Sequence, residues 1–271
     1  MRGRELRAVA ISLGALFAAG PAAAQIDIAD EETTAAEVEK AAGDTSSGAA
    51  VDPWEGFNRR SFKVYTFLDD NLLVPVAKGY RAVTPAKGRK GIRAFLANAQ
   101  SPVVLLNDLL QGEFKRAGET TGRFLINSTI GFLGFADPAA RMGIPPHTED
   151  FGQTLAVWGV PSGPYLVLPI FGPSSIRDGV GLGVDLVSDP FFHIDHDWAQ
   201  KVRYSRFAAT AIARREPLIE PLDEIEAKSL DYYASLRSFY LQARKREILN
   251  GRSDFDDLID IDEYEEFDEV E

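Results

Sequence analysis

The sequence contains no cysteine, so neither a disulfide nor a thiolate metal site can form in it. It contains no GxSxG nucleophile elbow and no Walker phosphate loop. An α/β-hydrolase mechanism and self-driven ATP hydrolysis therefore lack their sequence signatures. Long hydrophobic runs are also missing, because even the most apolar stretches fall short of the roughly 20 residues that a membrane-spanning helix needs.

Three weak chemical patterns favour structural roles. His193 to Asp197 holds two imidazoles and two carboxylates, but its spacing matches no zinc motif, and we expect a solvated turn. Residues 178–183 resemble a dinucleotide glycine loop without the preceding strand, which favours close helix packing. Glu149 and Asp150 are adjacent, so they would point in different directions on a regular element. We predict no enzymatic activity, no cofactor and no metal.

The first 24 residues predict export. Three arginines precede an apolar run and a small-residue cleavage site, which is typical of a secretory signal peptide. The alternative, a transmembrane anchor, would need a longer apolar run than residues 8–19 provide.

Charge is distributed unevenly along a chain of net charge -12. Residues 53–124 carry an excess of Lys and Arg, which indicates a surface for phosphate groups or, equally, a solvated helical face. Export argues against nucleic acid as the partner, and the aromatic residues in this segment follow a helical period instead of forming a stacking platform.

Composition divides the chain into four parts. We predict a signal peptide at 1–24, a disordered linker at 25–52 without aromatic residues, one folded domain at 53–250, and an acidic disordered tail at 251–271.

Apolar spacing inside the domain is helical. The pattern predicts helices from Phe57 to Leu72, over 87–98, 103–110, 113–127 and 199–215, and one C-terminal helix that runs from Ile225 to Ala243, after Pro221 and before Gly251. The predicted fold class is all-α or nearly so.

Two apolar stretches, 124–136 and 155–172, are too short or too broken by proline and glycine to cross a bilayer as one helix. Ordinary core burial is one interpretation. Insertion into the headgroup and upper acyl zone of one leaflet is the other, since the stretches accompany a basic segment in an exported chain.

Ordered blocks between residues 52 and 178 resemble the MlaA (VacJ) family of outer-membrane phospholipid-asymmetry proteins. The matching blocks are 52–59 (DPWEGFNR), 75–81, 110–112, 122–131 (GRFLINSTIG), 134–139, 149–154 (EDFGQT), 158–160, 163–169 (GPYLVLP) and 172–178 (GPSSIRD).

The resemblance implies a single ring-like helical domain around an amphipathic channel in the inner leaflet of the outer membrane. It implies removal of mislocalised phospholipid from the outer leaflet and transfer to a periplasmic carrier resembling MlaC, often with a trimeric porin bound. Many family members carry a lipidated N-terminal Cys, which this sequence lacks, so attachment would depend on the domain's own apolar surface or on the porin. A periplasmic structural adaptor that binds a porin without lipid transfer is the alternative.

The candidate acyl contacts lie mainly in the two apolar stretches, 124–136 and 155–171, and arginines are the candidate phosphate contacts. The predicted lipid-binding residues are Phe57, Asn58, Arg59, Arg81, Arg123, Phe124, Ile126, Ile130, Phe132, Leu155, Trp158, Tyr165, Leu166 and Leu168. Arg93 joins Arg59, Arg81 and Arg123 as a candidate phosphate contact, and each of the four is equally a candidate structural ion-pair partner. Gly131 and Gly134 are a candidate hinge, with tight packing as the simpler interpretation.

Overall fold

The computed structural model describes residues 52–250. The predicted signal peptide, the acidic tail and all of the predicted linker except Asp52 lie outside the described residues. Asp52 itself is buried, and its carboxylate accepts hydrogen bonds from the Asn58 amide and the Tyr233 hydroxyl.

Ten helices and a two-stranded sheet make up this part of the chain, which confirms the nearly all-α fold class. The elements are α1 Glu55–Leu68, α2 Val74–Val83, α3 Ala86–Leu110, α4 Phe114–Thr129, α5 Pro138–Arg141, α6 Phe151–Val157, β1 Tyr165–Leu168, β2 Gly172–Ser175, α7 Ile176–Ser188, α8 Asp197–Arg215, α9 Ile219–Lys228 and α10 Tyr232–Ile248.

A π-helical turn, Asp69–Leu73, joins α1 to α2 without a loop. The wider turn contains Asp69, which is buried and accepts hydrogen bonds from Nε and Nη2 of the Arg215 guanidinium, at 3.0 and 2.8 Å. This bidentate pair fixes the end of α8 against the α1–α2 junction.

Helix α3 runs unbroken through Pro102, although the sequence pattern indicated two separate helical stretches on either side of that residue. Proline costs one backbone hydrogen bond inside a helix. Burial of Leu96, Val103 and Val104 on both sides of it keeps the helix continuous.

The prediction of one C-terminal helix was wrong, because the chain breaks between α9 and α10. Ser229 is extended, and the Asp231 carboxylate caps α10 by accepting a hydrogen bond from the Ala234 N–H at 3.2 Å. Pro221 lies inside α9 and does not precede the helix. An aspartate N-cap competes with helix continuation, and here it outweighs the apolar period.

The antiparallel β1–β2 hairpin begins within the second apolar stretch, extends beyond it through β2, and continues directly into α7. Its free edge is closed by α1. Asn58 donates to the Tyr165 carbonyl and accepts from the Val167 N–H, both at 2.9 Å, and so replaces a neighbouring strand.

Apolar burial is concentrated in one small cluster between α1, β1, α9 and α10, here called the aromatic core. Its members are Phe62, Tyr165, Val167, Leu222, Tyr233 and Leu236. The Phe62 and Tyr233 rings meet edge-to-face with centroids 5.5 Å apart, which is a favourable aromatic geometry.

Helices α6 and α7 touch through glycine. A Cβ on Gly181 would lie 2.3 Å from the Gly152 nitrogen, so only glycine permits this approach. The 178–183 segment therefore serves helix packing, as its sequence indicated.

Candidate functional site

In residues 52–250 the usual distribution of side chains, apolar inside and polar outside, is partly inverted. The largest fully buried side chains are mostly polar, and Val167 is the apolar exception; they are Gln153, Asn58, Asn107, Thr154, Asp108 and Val167. More large apolar side chains are exposed than buried across the same residues. Because water-soluble interiors are mainly apolar, this arrangement indicates a surface that meets something other than water.

Many of the buried and half-buried polar side chains cluster between α3, α4, α6, α7 and α10, and this cluster is here called the polar network. Its members are Asn107, Asp108, Gln111, Arg116, Thr120, His147, Glu149, Asp150, Gln153, Thr154, Asp178, Asp185 and Arg244.

Arg244 is the most connected cation of the network. Its Nη1 and Nη2 each donate to the Asp150 carboxylate at 2.7 Å, and Nη2 also donates to Asp178 at 2.9 Å. Burial alone would raise the pKa of Asp150, but the bidentate bonds from Arg244 outweigh it and hold that pKa below its ordinary value. This pair therefore stays ionised in the interior.

Two other carboxyls of the network have pKa values raised to near neutral pH. Burial raises the pKa of Glu149 to about 7, against opposing contributions from Gln111 and Arg116. Burial also raises the pKa of Asp185 to about 7, partly offset by the hydrogen bond from the Phe151 N–H. Glu149 and Asp150 bind different arginines, Arg116 and Arg244, so the two adjacent carboxyls point toward different partners.

The first apolar stretch ends in an exposed turn, residues 130–135, after α4. Ile130, Phe132 and Leu133 are exposed, with Phe132 at 77 %. Phe132 and Leu133 have φ of 53° and 60°, which is uncommon for bulky residues and signals a backbone conformation imposed by its surroundings. Phe124 is also exposed on α4, whereas Ile126 is half-buried.

Packing around the turn restricts its two glycines. A Cβ on Gly131 would lie 2.5 Å from the Asn127 carbonyl oxygen, and one on Gly134 would lie 2.5 Å from Asn98 Cβ. Gly134 also has φ of +94°. These contacts fit the packing interpretation, and the hinge stays a prediction.

The second apolar stretch divides into exposed and buried parts. Trp158 is exposed and donates through Nε1 to the Leu110 carbonyl at 3.0 Å, while Leu155 is half-buried. Along β1 the side chains alternate, so that Tyr165 is buried and Leu166 and Leu168 are half-buried.

The neighbouring residues Phe57 and Asn58 on α1 also differ in solvent exposure. Phe57 is exposed, whereas Asn58 has no exposed surface. Since Asn58 and Tyr165 both lie in the interior, neither presents a surface to a ligand in this structure, and their lipid contact stays a prediction.

Each of the four candidate arginines is in an ion pair. Arg59 binds Asp231 and Glu55, and Arg123 binds Asp137 at 2.8 Å and the Ile144 carbonyl. Arg81 and Arg93 both reach Glu216, a carboxylate with only 5 % side-chain exposure. These pairs match the structural alternative, and phosphate contact by these arginines stays a prediction.

The two histidines of residues 193–197 are exposed, and their rings make local hydrogen bonds. His193 Nε2 lies 2.7 Å from the Val187 carbonyl, and His196 accepts a weak hydrogen bond from the Trp198 N–H at the start of α8. Within residues 52–250, no cluster of three or more metal-ligating side chains is arranged to hold an ion. In the same part of the chain no helix has the length and apolar character to cross a membrane.

The model of the family described as MlaA lipoprotein matches residues 50–247. The chain belongs to the MlaA family. The match covers every element from α1 to α9 and most of α10, so it includes both the exposed turn and the polar network.

The alignments with relatives named MlaA cover most of each relative's length. The Escherichia coli K12 protein, named intermembrane phospholipid transport system lipoprotein MlaA, is 31% identical over 239 residues, with 82% of this chain and 92% of the relative aligned. The Haemophilus influenzae protein of the same name is 32% identical over 207 residues, covering 74% and 80%. An uncharacterized protein of Rickettsia bellii is 33% identical over 198 residues, covering 73% and 76%.

A solved MlaA-like chain, from work on the structural basis for maintenance of bacterial outer membrane lipid asymmetry, has the same fold. It matches with a TM-score of 0.62 and 30% identity, over 74% of this chain and all of that chain. Both its fold and the family match agree with the resemblance that the sequence blocks indicated.

Sequence reasoning missed most of the polar network. The MlaA-like blocks 149–154 and 172–178 contain three of its acids, Glu149, Asp150 and Asp178. Arg244, the partner of Asp150 and Asp178, lies in α10, outside any block. A run of polar residues between two apolar stretches was the available signal, and it did not indicate which cation would meet them.

Proposed function

We propose that this chain is an outer-membrane component of phospholipid transport that removes mislocalised phospholipid from the outer leaflet and passes it to a periplasmic carrier. Membership of the MlaA family supports a role in phospholipid transport, since the chain's named relatives are intermembrane phospholipid transport system lipoproteins. The observation that carries the proposal is the inverted polarity of residues 52–250, with polar side chains inside and large apolar ones outside.

The physical task explains why such a protein needs an apolar surface next to a polar one. Exposing two acyl chains of about 16 carbons each to water costs more than about 20 kcal/mol, at roughly 0.8 kcal/mol per methylene. A headgroup cannot be buried unpaired, so its route must be polar. We infer a helical ring around an amphipathic channel, which lies in the periplasmic-side leaflet and meets both requirements.

Apolar side chains that reach the surface are the proposed acyl contacts. Those of the predicted set are Phe57, Phe124, Ile130, Phe132 and Trp158, with half-buried Ile126, Leu155, Leu166 and Leu168 beside them. Such a surface also suits a porin trimer as the membrane partner and a soluble carrier resembling MlaC as the acceptor. No bond of the phospholipid needs to break in this process.

Lipid extraction tests the proposal directly. Full-length protein purified in detergent should carry intact phospholipid in stoichiometric amount, measured by mass spectrometry of the extracted lipid. Porin binding without lipid would identify a structural adaptor instead, and release of free fatty acid would identify a hydrolase.

Substitution in the exposed turn tests the acyl contact. Ile130→Asp should abolish lipid retention and raise outer-leaflet phospholipid in cells, because it places a charge among acyl chains. Ile130→Val is the matched control, since it keeps the site apolar. Normal lipid asymmetry with normal levels of the Asp variant would contradict the assignment.

A further inference from the structure

The exposed turn 130–135 is packed against the first half of α3. The Phe95 and Phe135 rings stack with centroids 4.7 Å apart, and Asn98 donates to Ser128 Oγ at 2.9 Å beside the turn. A Cβ on Gly91 would lie 3.1 Å from the Phe135 carbonyl oxygen. Gly91, Phe95 and Asn98 therefore define the face of α3 that carries the turn.

The same half of α3 is strongly basic. It contains Lys87, Arg89, Lys90 and Arg93, and its first acidic residue is Asp108. At 100° per residue, Lys87 lies one turn before Gly91 on the face that carries the exposed turn, and Lys90 flanks that face.

The four bases divide between two sides of the helix. Arg89 and Arg93 lie on the opposite side, where both reach Glu216, at 3.3 and 3.2 Å. Lys87 and Lys90 are exposed, and neither takes part in the ion pairs found among residues 52–250. Two ammonium groups thus stand next to an apolar protrusion.

We propose that Lys87 and Lys90, together with the exposed turn, form a docking surface for anionic phospholipid of a membrane, with the lysines at the phosphates and Ile130 and Phe132 among the acyl chains. This inference deepens the proposed function, on which it rests, by naming the lipid class. Apolar side chains beside basic ones are the arrangement that binds an anionic lipid interface.

Charge distribution supports this lipid class and this orientation. Most of the chain's formal charge of -12 comes from acidic residues outside residues 52–250, which themselves hold 24 Lys and Arg against 22 Asp and Glu. The described part is therefore close to neutral, and the basic half of α3 is a local positive surface that an anionic membrane attracts. A zwitterionic membrane would make no such distinction between faces.

Vesicle binding by the full-length chain tests the lysines. Lys87→Gln with Lys90→Gln should weaken binding to vesicles of phosphatidylcholine with phosphatidylglycerol by about 30-fold, at about 1 kcal/mol per lysine near an anionic surface. Binding to phosphatidylcholine alone should not change. The matched control is Lys63→Gln with Lys201→Gln, which removes two exposed lysines elsewhere and should retain most of the binding.

The apolar half of the surface has a separate test. Phe132→Asn keeps a residue type that tolerates positive φ, and it should weaken binding to both vesicle types by about 10-fold or more, since a large apolar side chain no longer inserts. A loss restricted to anionic vesicles would contradict the assigned role of the turn.

Several outcomes would overturn the proposal. Equal losses in the control pair, or no preference of the unmodified chain for phosphatidylglycerol, would remove the basis for a specific anionic surface. Unchanged vesicle binding with lost self-association would assign the surface to a second copy of the chain. If the preference were absent while purified protein still carried intact phospholipid, the proposed function would stand and this inference alone would fail.

Discussion

The aromatic core and the polar network stabilise two halves of the same helical domain by different means. Around Phe62 and Tyr233, apolar rings pack edge-to-face as in a water-soluble protein. Around Asp150 and Arg244, buried charges are paired and hydrogen-bonded. The difference shows that a chain which exposes its apolar side chains can still define its interior, by directional bonds instead of apolar burial.

Energetics sharpen the contrast. Apolar burial is non-directional and roughly proportional to area. A buried ion pair contributes little net stability, because desolvation offsets the attraction, yet removal of one partner is costly. The polar network should therefore be the more sensitive half to single substitutions, and four experiments test this view.

Loss of the central cation should have the largest effect. Arg244→Met leaves Asp150 and Asp178 buried without their cation and should lower the free energy of unfolding by about 3–5 kcal/mol. Chemical denaturation of the purified variant measures this value. Arg246→Met, two residues along on an exposed position, should change it by less than about 0.5 kcal/mol, and equal effects would refute the contrast.

Stability should also depend on pH through the network. The pKa values of Glu149 and Asp185 are about 7 in the folded state, above their ordinary 4.5 and 3.8, so folded protein retains protons that the unfolded chain releases. The free energy of unfolding should fall, on the order of 3 kcal/mol, as pH rises from about 4.5 through 7.

Denaturation at a series of pH values checks this dependence. Glu149→Gln should reduce the slope in that window, because the side chain no longer titrates. Glu224→Gln, at an exposed site, should leave the slope unchanged. A profile of the unmodified protein that is flat between pH 4.5 and 7 would count against neutral carboxyls in the interior.

A smaller effect is expected where the hairpin meets the aromatic core. Asn58→Ala removes buried hydrogen bonds to Asp52 and to both backbone groups of β1, and should cost about 1–3 kcal/mol. Thermal unfolding compared with Asn71→Ala, an exposed amide, would measure it. No difference between the two variants would mean that water replaces Asn58 at the strand edge.

Exposed ion pairs should matter least. Arg59→Gln breaks contacts with Asp231 and Glu55, but the Arg59 side chain is 42% exposed, so solvent screens them and the cost should stay below about 1 kcal/mol. Thermal unfolding at low and high salt is the measurement. A larger loss would show that charge itself, and not burial, distinguishes the polar network.

Local signals predicted most helices because apolar period and caps act over a few residues. They failed between α9 and α10, where the apolar period continued through Ser229 but the Asp231 cap started a new helix. They also failed at Pro102, since packing on both sides kept α3 intact. These errors have one cause, namely that local patterns do not contain the contacts made by distant segments.

Candidate site residues show the same division. Hydropathy identified the turn 130–135 as apolar, but it did not indicate that Phe132 is exposed while Tyr165 and Asn58 are enclosed. Charge identified Arg81 and Arg93 as candidates for phosphate contact, yet both converge, together with Arg89, on Glu216, more than 120 residues away. Lys87 and Lys90 drew no attention, because their significance depends on the turn that packs beside them.

The sequence by itself determined the helical fold class, the absence of cysteine chemistry, the uneven charge and the ordered blocks of the MlaA family, since each depends on composition or on neighbouring residues. Only the tertiary structure decided which polar side chains face inward and which apolar ones face outward. The physical reason is that burial and ion pairing depend on distant segments, such as α10 bringing Arg244 to Asp150, whose meeting no local pattern encodes.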